Sequence, residues 1–379
     1  MKIEITVSKN ELLSKLKAVA KVINPANKVI PAHTNFLFEI FHEVTVTGAD
    51  ESGNITSDIE CSFNEPEEKI SFLVDSKTML DCIREIPEQP LEIILEDKGK
   101  GATMTIYYEG GKYHLQTYPT DGFSVLKNKS VLSKLVELDC GLFTHGIKTV
   151  YPFAGNDNIR PIMMSIYLES VKGNLTFCAT NGFTMAVLDK DSSEFSDFDL
   201  TLPIKLAKII IDLAPKEEEE KVSIEIGEKN VSVCFRDIRI VYRLQDGKYP
   251  NFRSVIPKNN DKYIRTETNR ILSSLKRAFI FADRGESPVT LQAFDSSMKL
   301  ISRSADVDQF VEDTLTATNN CKEFKTGFAI SSLTRCIEAI PTDNVQLTFS
   351  DPRQACLITP FDDVNVGLVV LIMPLDINV

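Results

Sequence analysis

No stretch of this 379-residue sequence reaches the ~18 consecutive apolar residues that a membrane-spanning helix needs, so a spanning protein is not expected. The first residues are not a charged start followed by an apolar block. Met1 to Asn10 instead alternates Ile3, Ile5 and Val7 with Lys2, Glu4 and Thr6, as a strand does, and a classical export signal is not expected. No GxGxxG follows a strand and no GxxxxGK[ST] occurs, which removes the usual loops for cradling nucleotide phosphates. There is no GxSxG nucleophile elbow. The four histidines, His33, His42, His114 and His145, show no HExxH or other close spacing for a metal. Eight cysteines (Cys61, Cys82, Cys140, Cys178, Cys234, Cys321, Cys336, Cys356) stand singly, several on apolar stripes, and read as reduced core residues of a cytosolic protein. Carboxylate pairs such as Asp50/Glu51 and Asp362/Asp363 fall in turns. Together these absences point away from an enzyme and from any cofactor.

What the sequence has instead is a threefold internal echo. An amphipathic helix core reads Met79, Cys82, Ile83, Ile86, then Leu206, Ile209, Ile210, Leu213, then Leu333, Cys336, Ile337, Ile340, each copy starting 127 residues after the last. A proline closes each (Pro87, Pro215, Pro341), and an alternating strand follows: Leu91/Ile93/Leu95, Val222/Ile224/Ile226, Val345/Leu347/Phe349. Each copy then makes a strand, a short turn (Glu109-Gly110-Gly111, Arg236-Asp237, Phe361-Asp362-Asp363) and a second strand leaving at Tyr118-Pro119, Tyr249-Pro250 or Met373-Pro374. Solenoid repeats run to roughly 20–50 residues, whereas about 125 residues can hold an independent core. The expected organisation is α+β, with three tandem domains at 1–127, 128–257 and 258–379.

Net charge is −12, which disfavours an extended basic surface. The first helix nevertheless carries Lys9, Lys15, Lys17, Lys21 and then Lys28 against Glu11, opposite an apolar stripe of Leu12, Leu13, Leu16, Val19, Ala20 and Ile23. Its counterpart in the third copy buries Ile271, Leu272, Leu275, Ala278, Phe279 and Ala282, with Arg270, Arg277 and Arg284 in line at seven-residue intervals. The middle copy offers His145 and Lys148 beside Leu142, Phe143, Gly146 and Ile147. A solvated face is the bland reading of any one such helix. Recurrence within an acidic chain favours a localised surface for a polyanion, with the loops Glu65 to Glu68 and Glu217 to Glu220 elsewhere.

Ala179-Thr180-Asn181-Gly182-Phe183-Thr184-Met185-Ala186-Val187, Tyr249-Pro250-Asn251-Phe252-Arg253-Ser254-Val255-Ile256-Pro257 and Leu371-Ile372-Met373-Pro374-Leu375, in that order and spacing, resemble the bacterial DNA polymerase III beta subunit family, the sliding clamps. The resemblance covers the whole chain. It implies three repeats of the DNA clamp domain, two helices packed on antiparallel sheets in each, and a head-to-tail homodimer forming a six-domain ring. The implied function is that of a processivity factor, encircling duplex DNA without sequence specificity and tethering replicative and repair polymerases and the clamp loader in the cytoplasm, at the nucleoid.

By resemblance, Lys15, Lys17, Lys21, Lys148, Lys205, Lys208, Arg270, Lys276 and Arg277 face DNA, and Lys28 takes the place of a family arginine. The partner cleft comprises Met163, Thr180, Gly182, Phe183, Met185, Pro250, Ser254, Val255, Ala355, Met373, Pro374 and Leu375. Tyr113 and Leu115 of one subunit meet Ile280 and Phe281 of the other. Two departures bear on the cleft: Asn181-Gly182-Phe183-Thr184 stands where the family commonly has Asp-Gly-His-Arg, and the chain continues Leu375-Asp376-Ile377-Asn378-Val379 where the family usually ends on a basic residue. The rival expectations are a scaffold that binds only proteins and an enzyme whose site assembles across domains.

Overall fold

The computed structural model describes residues 2–97, 102–127, 134–157, 159–191, 196–215, 220–281, 288–303, 309–363 and 366–376. Arg284, Ala282, Glu217 to Glu219 and the last three residues, Ile377 to Val379, lie outside that set.

Six α-helices occur among the described residues: α1 (Lys9–Val19), α2 (Ser76–Glu85), α3 (Cys140–Val150), α4 (Ile204–Leu213), α5 (Thr268–Phe279) and α6 (Ile330–Glu338). Each starts directly where a strand stops, so the strand's last residue serves as the helix N-cap position. Ser8 Oγ accepts from Glu11 N in α1 (3.2 Å), Asp75 Oδ1 from Thr78 N in α2 (2.8 Å), and Asp139 Oδ1 from Leu142 N in α3 (2.7 Å). Each such cap satisfies an amide that the first turn leaves without a partner and is worth about 1 kcal/mol. The apolar stripe then packs inward: Leu12, Leu16 and Val19 in α1, Ile271, Leu275 and Ala278 in α5 are inaccessible to solvent. Phe279 departs from the expected stripe and is 51% exposed at the last residue of α5.

Cα packing divides the chain into two compact units, Met1–Phe143 with Lys208–Leu244, and Thr144–Ala207 with Gln245–Val379. The reason lies in the sheets. In the first unit a thirteen-stranded antiparallel sheet includes the strand Gly53–Asp58 from the first repeat, paired over five residues with Ile238–Arg243 from the second. In the second unit a nine-stranded sheet contains Thr184–Asp191 from the middle repeat paired with Leu368–Ile372 from the last. A four-stranded sheet, Phe310–Thr316, Ser297–Arg303, Pro288–Ala293 and Lys325–Ala329 in spatial order, completes that unit.

The helix, proline and strand order of the repeats is present in all three copies. Two turns differ from expectation. The connection after Cys356–Pro360 extends to Gly367, longer than the three residues Phe361 to Asp363, and includes residues outside the described set. In the middle copy the second strand stops at Arg243, and Tyr249-Pro250 lies in coil six residues on, where Tyr249 turns into a core.

Candidate functional sites: cationic helix faces and an apolar cleft

Lys17 on α1 and Lys21 in the turn just after it are exposed, and Lys28 follows in a loop where Asn27 Oδ1 accepts from the amides of Val29 (2.9 Å) and Ile30 (3.0 Å). Lys21 shares its charge with Asp212 at 2.9 Å. Lys15 departs from the expectation of an open cation. Its ammonium lies 2.5 Å from Asp237 Oδ2 and 3.4 Å from Glu11 Oε1, with 16% of the side chain exposed. Burial would lower its pKa, but the Asp237 and Glu11 bonds prevail and raise it. Asp237 reciprocates: burial alone would raise its carboxyl, yet the bonds from Lys15 and Ser57 hold it below its usual value. Lys15 therefore fastens α1 to the Phe235–Ile238 turn rather than offering its charge outward.

Lys148 on α3 and Lys205 and Lys208 on α4 are exposed. His145 is pushed down by burial, then by Lys190 and Lys148, so it is neutral at physiological pH and adds no cation. On α5, Lys276 is exposed, Arg270 pairs with Glu267 at 2.7 Å and Arg277 with Asp313 at 2.6 Å. Arg270 and Arg277 each keep more than half of the side chain in solvent.

The twelve expected cleft residues all fall in the second unit, in and around one apolar cluster. Its buried members are Cys178, Met185, Val187, Tyr249, Phe252, Ala355 and Leu371, with Ile162, Tyr167, Ile256 and Leu357 partly buried against it. Tyr167 stacks on Tyr249 with centroids 5.1 Å apart and meets Phe252 at 6.0 Å. Burial, then Glu169, pushes the Tyr167 hydroxyl to a pKa of about 12, so it stays neutral. Above this floor stand exposed apolar groups: Phe183, Val255, Met373 and Leu375. Thr180, Met185 and Ala355 belong to the floor, while Met163 and Pro250 are half-buried and Ser254 is exposed.

Phe183 owes its exposure to a tightly specified turn. Asn181 Oδ1 accepts from the amides of Phe183 (2.9 Å) and Thr184 (2.8 Å), and Thr180 Oγ1 accepts from Gly182 N (3.0 Å). Gly182 has φ +90°, a conformation side chains rarely adopt, and a Cβ there would sit 2.5 Å from Arg160 Nη1. Arg160 also donates to Asn181 O at 3.1 Å. The sequence reading missed Arg160 beside this turn, and it missed Tyr249, Phe252 and Leu371 of the cluster, although strand alternation could have placed Leu371 on the face of Met185, which pairs with it.

Of the four expected interface residues, Tyr113 and Leu115 lie on an edge strand of the first unit, and Ile280 and Phe281 just after α5 in the second. In the first, Gly111–Tyr118 pairs with Ala102–Tyr108 along Gly111–Gln116, while its other side meets Ile70–Asp75 only at Thr117 and Tyr118. Among the described residues the second side of Gly111–Gln116 is unpaired. Tyr113 is half-buried beside Tyr108, and Leu115 is buried at 7% exposure, so Leu115 belongs to this unit's own core. In the second unit Phe310–Thr316 is an end strand. Ile280 is 77% exposed and Phe281 half-buried just after α5.

Models of the DNA polymerase III beta subunit match the N-terminal domain over residues 3–127, the central domain over 137–251 and the C-terminal domain over 253–375. The chain belongs to the DNA polymerase III beta subunit family. The family is non-catalytic, a processivity factor of DNA replication, and the chain is a sliding clamp of that kind rather than an enzyme. It is 21% identical to the Beta sliding clamp of Haemophilus influenzae over 375 residues, 98% of this chain and 100% of that one. The fold is similar to the sliding clamp of Bacillus subtilis (TM-score 0.89, 19% identity, 100% of both chains). It is also similar to that of Pseudomonas aeruginosa bound to griselimycin (TM-score 0.88, 18% identity, 100% of both chains). Among the described residues no helix is long and apolar enough to cross a membrane.

Proposed function

We propose that two copies of the chain join head to tail into a closed ring of six domains, bounded at 1–127, 128–257 and 258–379 in each, that encircles duplex DNA. The reading is carried by one observation: a chain of net charge −12 presents exposed Lys17, Lys148, Lys205, Lys208, Arg270, Lys276 and Arg277 on helices of all three repeats, with Lys21 in the turn after the first. Such sparse cations attract phosphates without reading bases, so the duplex is held by enclosure and remains free to slide. Lys28, at its exposed loop, adds to the same attraction. The unpaired edge at Gly111–Gln116, with Tyr113, meets the end strand Phe310–Thr316 and the exposed Ile280 and half-buried Phe281 of the second copy. That pairing covers two edges that would otherwise recruit stray strands.

The apolar cleft receives a short flexible segment from replicative and repair polymerases and from the clamp loader. Exposed Phe183, Val255, Met373 and Leu375 above a preformed floor are a docking surface of the groove type, adaptable through its methionines. The protein works in the cytoplasm, on the nucleoid. Two measurements test this. Solution mass should be twice the 42.4 kDa of the chain at micromolar concentration. Protein loaded on a nicked circle by its loader should stay through gel filtration and be lost when the circle is cut. A monomer, or equal retention on linear DNA, refutes enclosure.

A further inference from the structure

On one face of the second unit's nine-stranded sheet, strand register carries one row of side chains out of the cleft: Thr180, Met185, Leu371, Leu357, Thr348 and Tyr263. One step along the strands, Arg265 lies opposite Gln346. Its guanidinium is held between two rings, 4.3 Å from the Tyr263 centroid and 4.2 Å from that of Phe361, and its Nε donates to Gln346 Oε1 at 2.7 Å. Arg265 and Tyr263 are half-buried, and Phe361 is exposed. The stack fixes the plane of the guanidinium through its faces and leaves the two terminal nitrogens free at its edge. Among the described residues they donate to nothing.

That distinguishes Arg265 from the arginines close to the cleft. Arg160 lies 3.7 Å from Asp157, Arg353 lies 3.8 Å from Asp376, and Arg253 is paired with Glu169. Each of these already has a carboxylate, and the exposed cleft rim between them is apolar. An acidic segment approaching a chain of net charge −12 is repelled in general, so only a local, unneutralised cation can seat it. A planar guanidinium with both terminal nitrogens available is suited to a carboxylate gripped by two parallel bonds.

We infer that Arg265 receives a carboxylate of the same partner segment whose apolar residues fill the cleft, an inference that rests on the cleft reading above. Leu371 and Tyr263 are three strand spacings apart, roughly 14 Å at ~4.8 Å each. An extended segment covers that distance in about four residues. Leu357, half-buried in the same row, continues the apolar floor beneath the crossing. The partner is therefore an extended peptide with large apolar residues and an Asp or Glu four or five positions away.

Fluorescence anisotropy with the full chain tests this using labelled peptides that carry two large apolar residues and, four or five positions to either side, either Glu or Gln. The better Glu peptide should bind about ten-fold more tightly than its Gln twin, the effect of one charge-assisted contact. In Arg265→Gln that ratio should fall to about one while the Gln peptide binds as before. Arg265→Lys, which keeps the charge but loses the stacked fork, should restore only part of it. Equal binding of Glu and Gln peptides by the wild type overturns the inference. Equal loss of both in Arg265→Gln overturns it too, because the residue is then structural. The cleft reading is judged separately by the Gln peptide, which must bind the wild type and weaken in Phe183→Ala; if it never binds, the cleft fails and Arg265 with it.

Discussion

Replacing Phe183 by alanine isolates the exposed wall of the cleft from its floor. A phenylalanine offers roughly 200 Å² of surface, and 66% of this one lies in solvent. If a docked peptide covers half of the exposed part, some 65 Å² leaves water, worth about 1.6 kcal/mol at 25 cal/mol per Å². That corresponds to roughly fifteen-fold weaker binding. Because the turn is specified by Asn181, Thr180 and Gly182, the truncation leaves its backbone bonds in place. Thermal midpoint and solution mass should not move. The assay is anisotropy of a labelled apolar peptide against wild type and Phe183→Ala, with a melting curve for each. An affinity within two-fold of wild type would falsify the assignment of Phe183 to peptide contact. A lowered midpoint would show instead that the ring packs on its own unit.

Asp237→Ala should destabilise the first unit by about 1–2 kcal/mol, since it removes partly exposed charged bonds from Lys15 and Ser57, and should lower the thermal midpoint by roughly 4 °C. The folded carboxyl is held below its unfolded value near ~3.9, so the gap between wild type and variant is full above that pH and closes as pH falls through the folded value; a gap that does not narrow at all as the solution is acidified would point to packing instead. Lys17→Glu with Lys208→Glu should leave mass and melting unchanged and weaken the affinity for duplex DNA, with a shallower dependence on salt by about one unit per lost phosphate contact. Unaltered affinity and salt slope would remove those two side chains from the DNA-facing set. Gly53→Ala should cost more than ~2 kcal/mol, because a Cβ there would lie 2.2 Å from Tyr242 Cδ2 and 2.8 Å from Val241 O in the paired strand; a denaturant midpoint equal to wild type would show that the strand yields freely.

The helices and their order were legible because each copy carries its own local signal: apolar residues at helical spacing and a proline after them. Alternation placed most strands for the same reason. The resemblance named twelve residues that fall in and around one apolar cluster, to which alternation alone could have added Leu371. What escaped depends on partners distant in sequence. Lys15 looks like a free cation until Asp237, 222 residues away, is folded beside it. Phe279 has the spacing of a buried residue, yet as the last residue of α5 it is exposed, which a helix stripe alone does not show. Arg160 packs against the turn because Gly182 has no side chain, a vacancy seen only with the turn in place. Leu115 alternates with the apolar set of its own strand, and that pattern, rather than the family's interface, decides its burial.

The pairing of Gly53–Asp58 with Ile238–Arg243 also governs how the gene can be divided. Duplication left three similar segments, yet a scission near residue 127 strips a five-residue ladder from both products and bares a hydrogen-bonding rim on each. Fragments made that way should self-associate or fail to accumulate. Piecewise expression is therefore a poor route to studying one repeat, even though each carries helices and strands of its own.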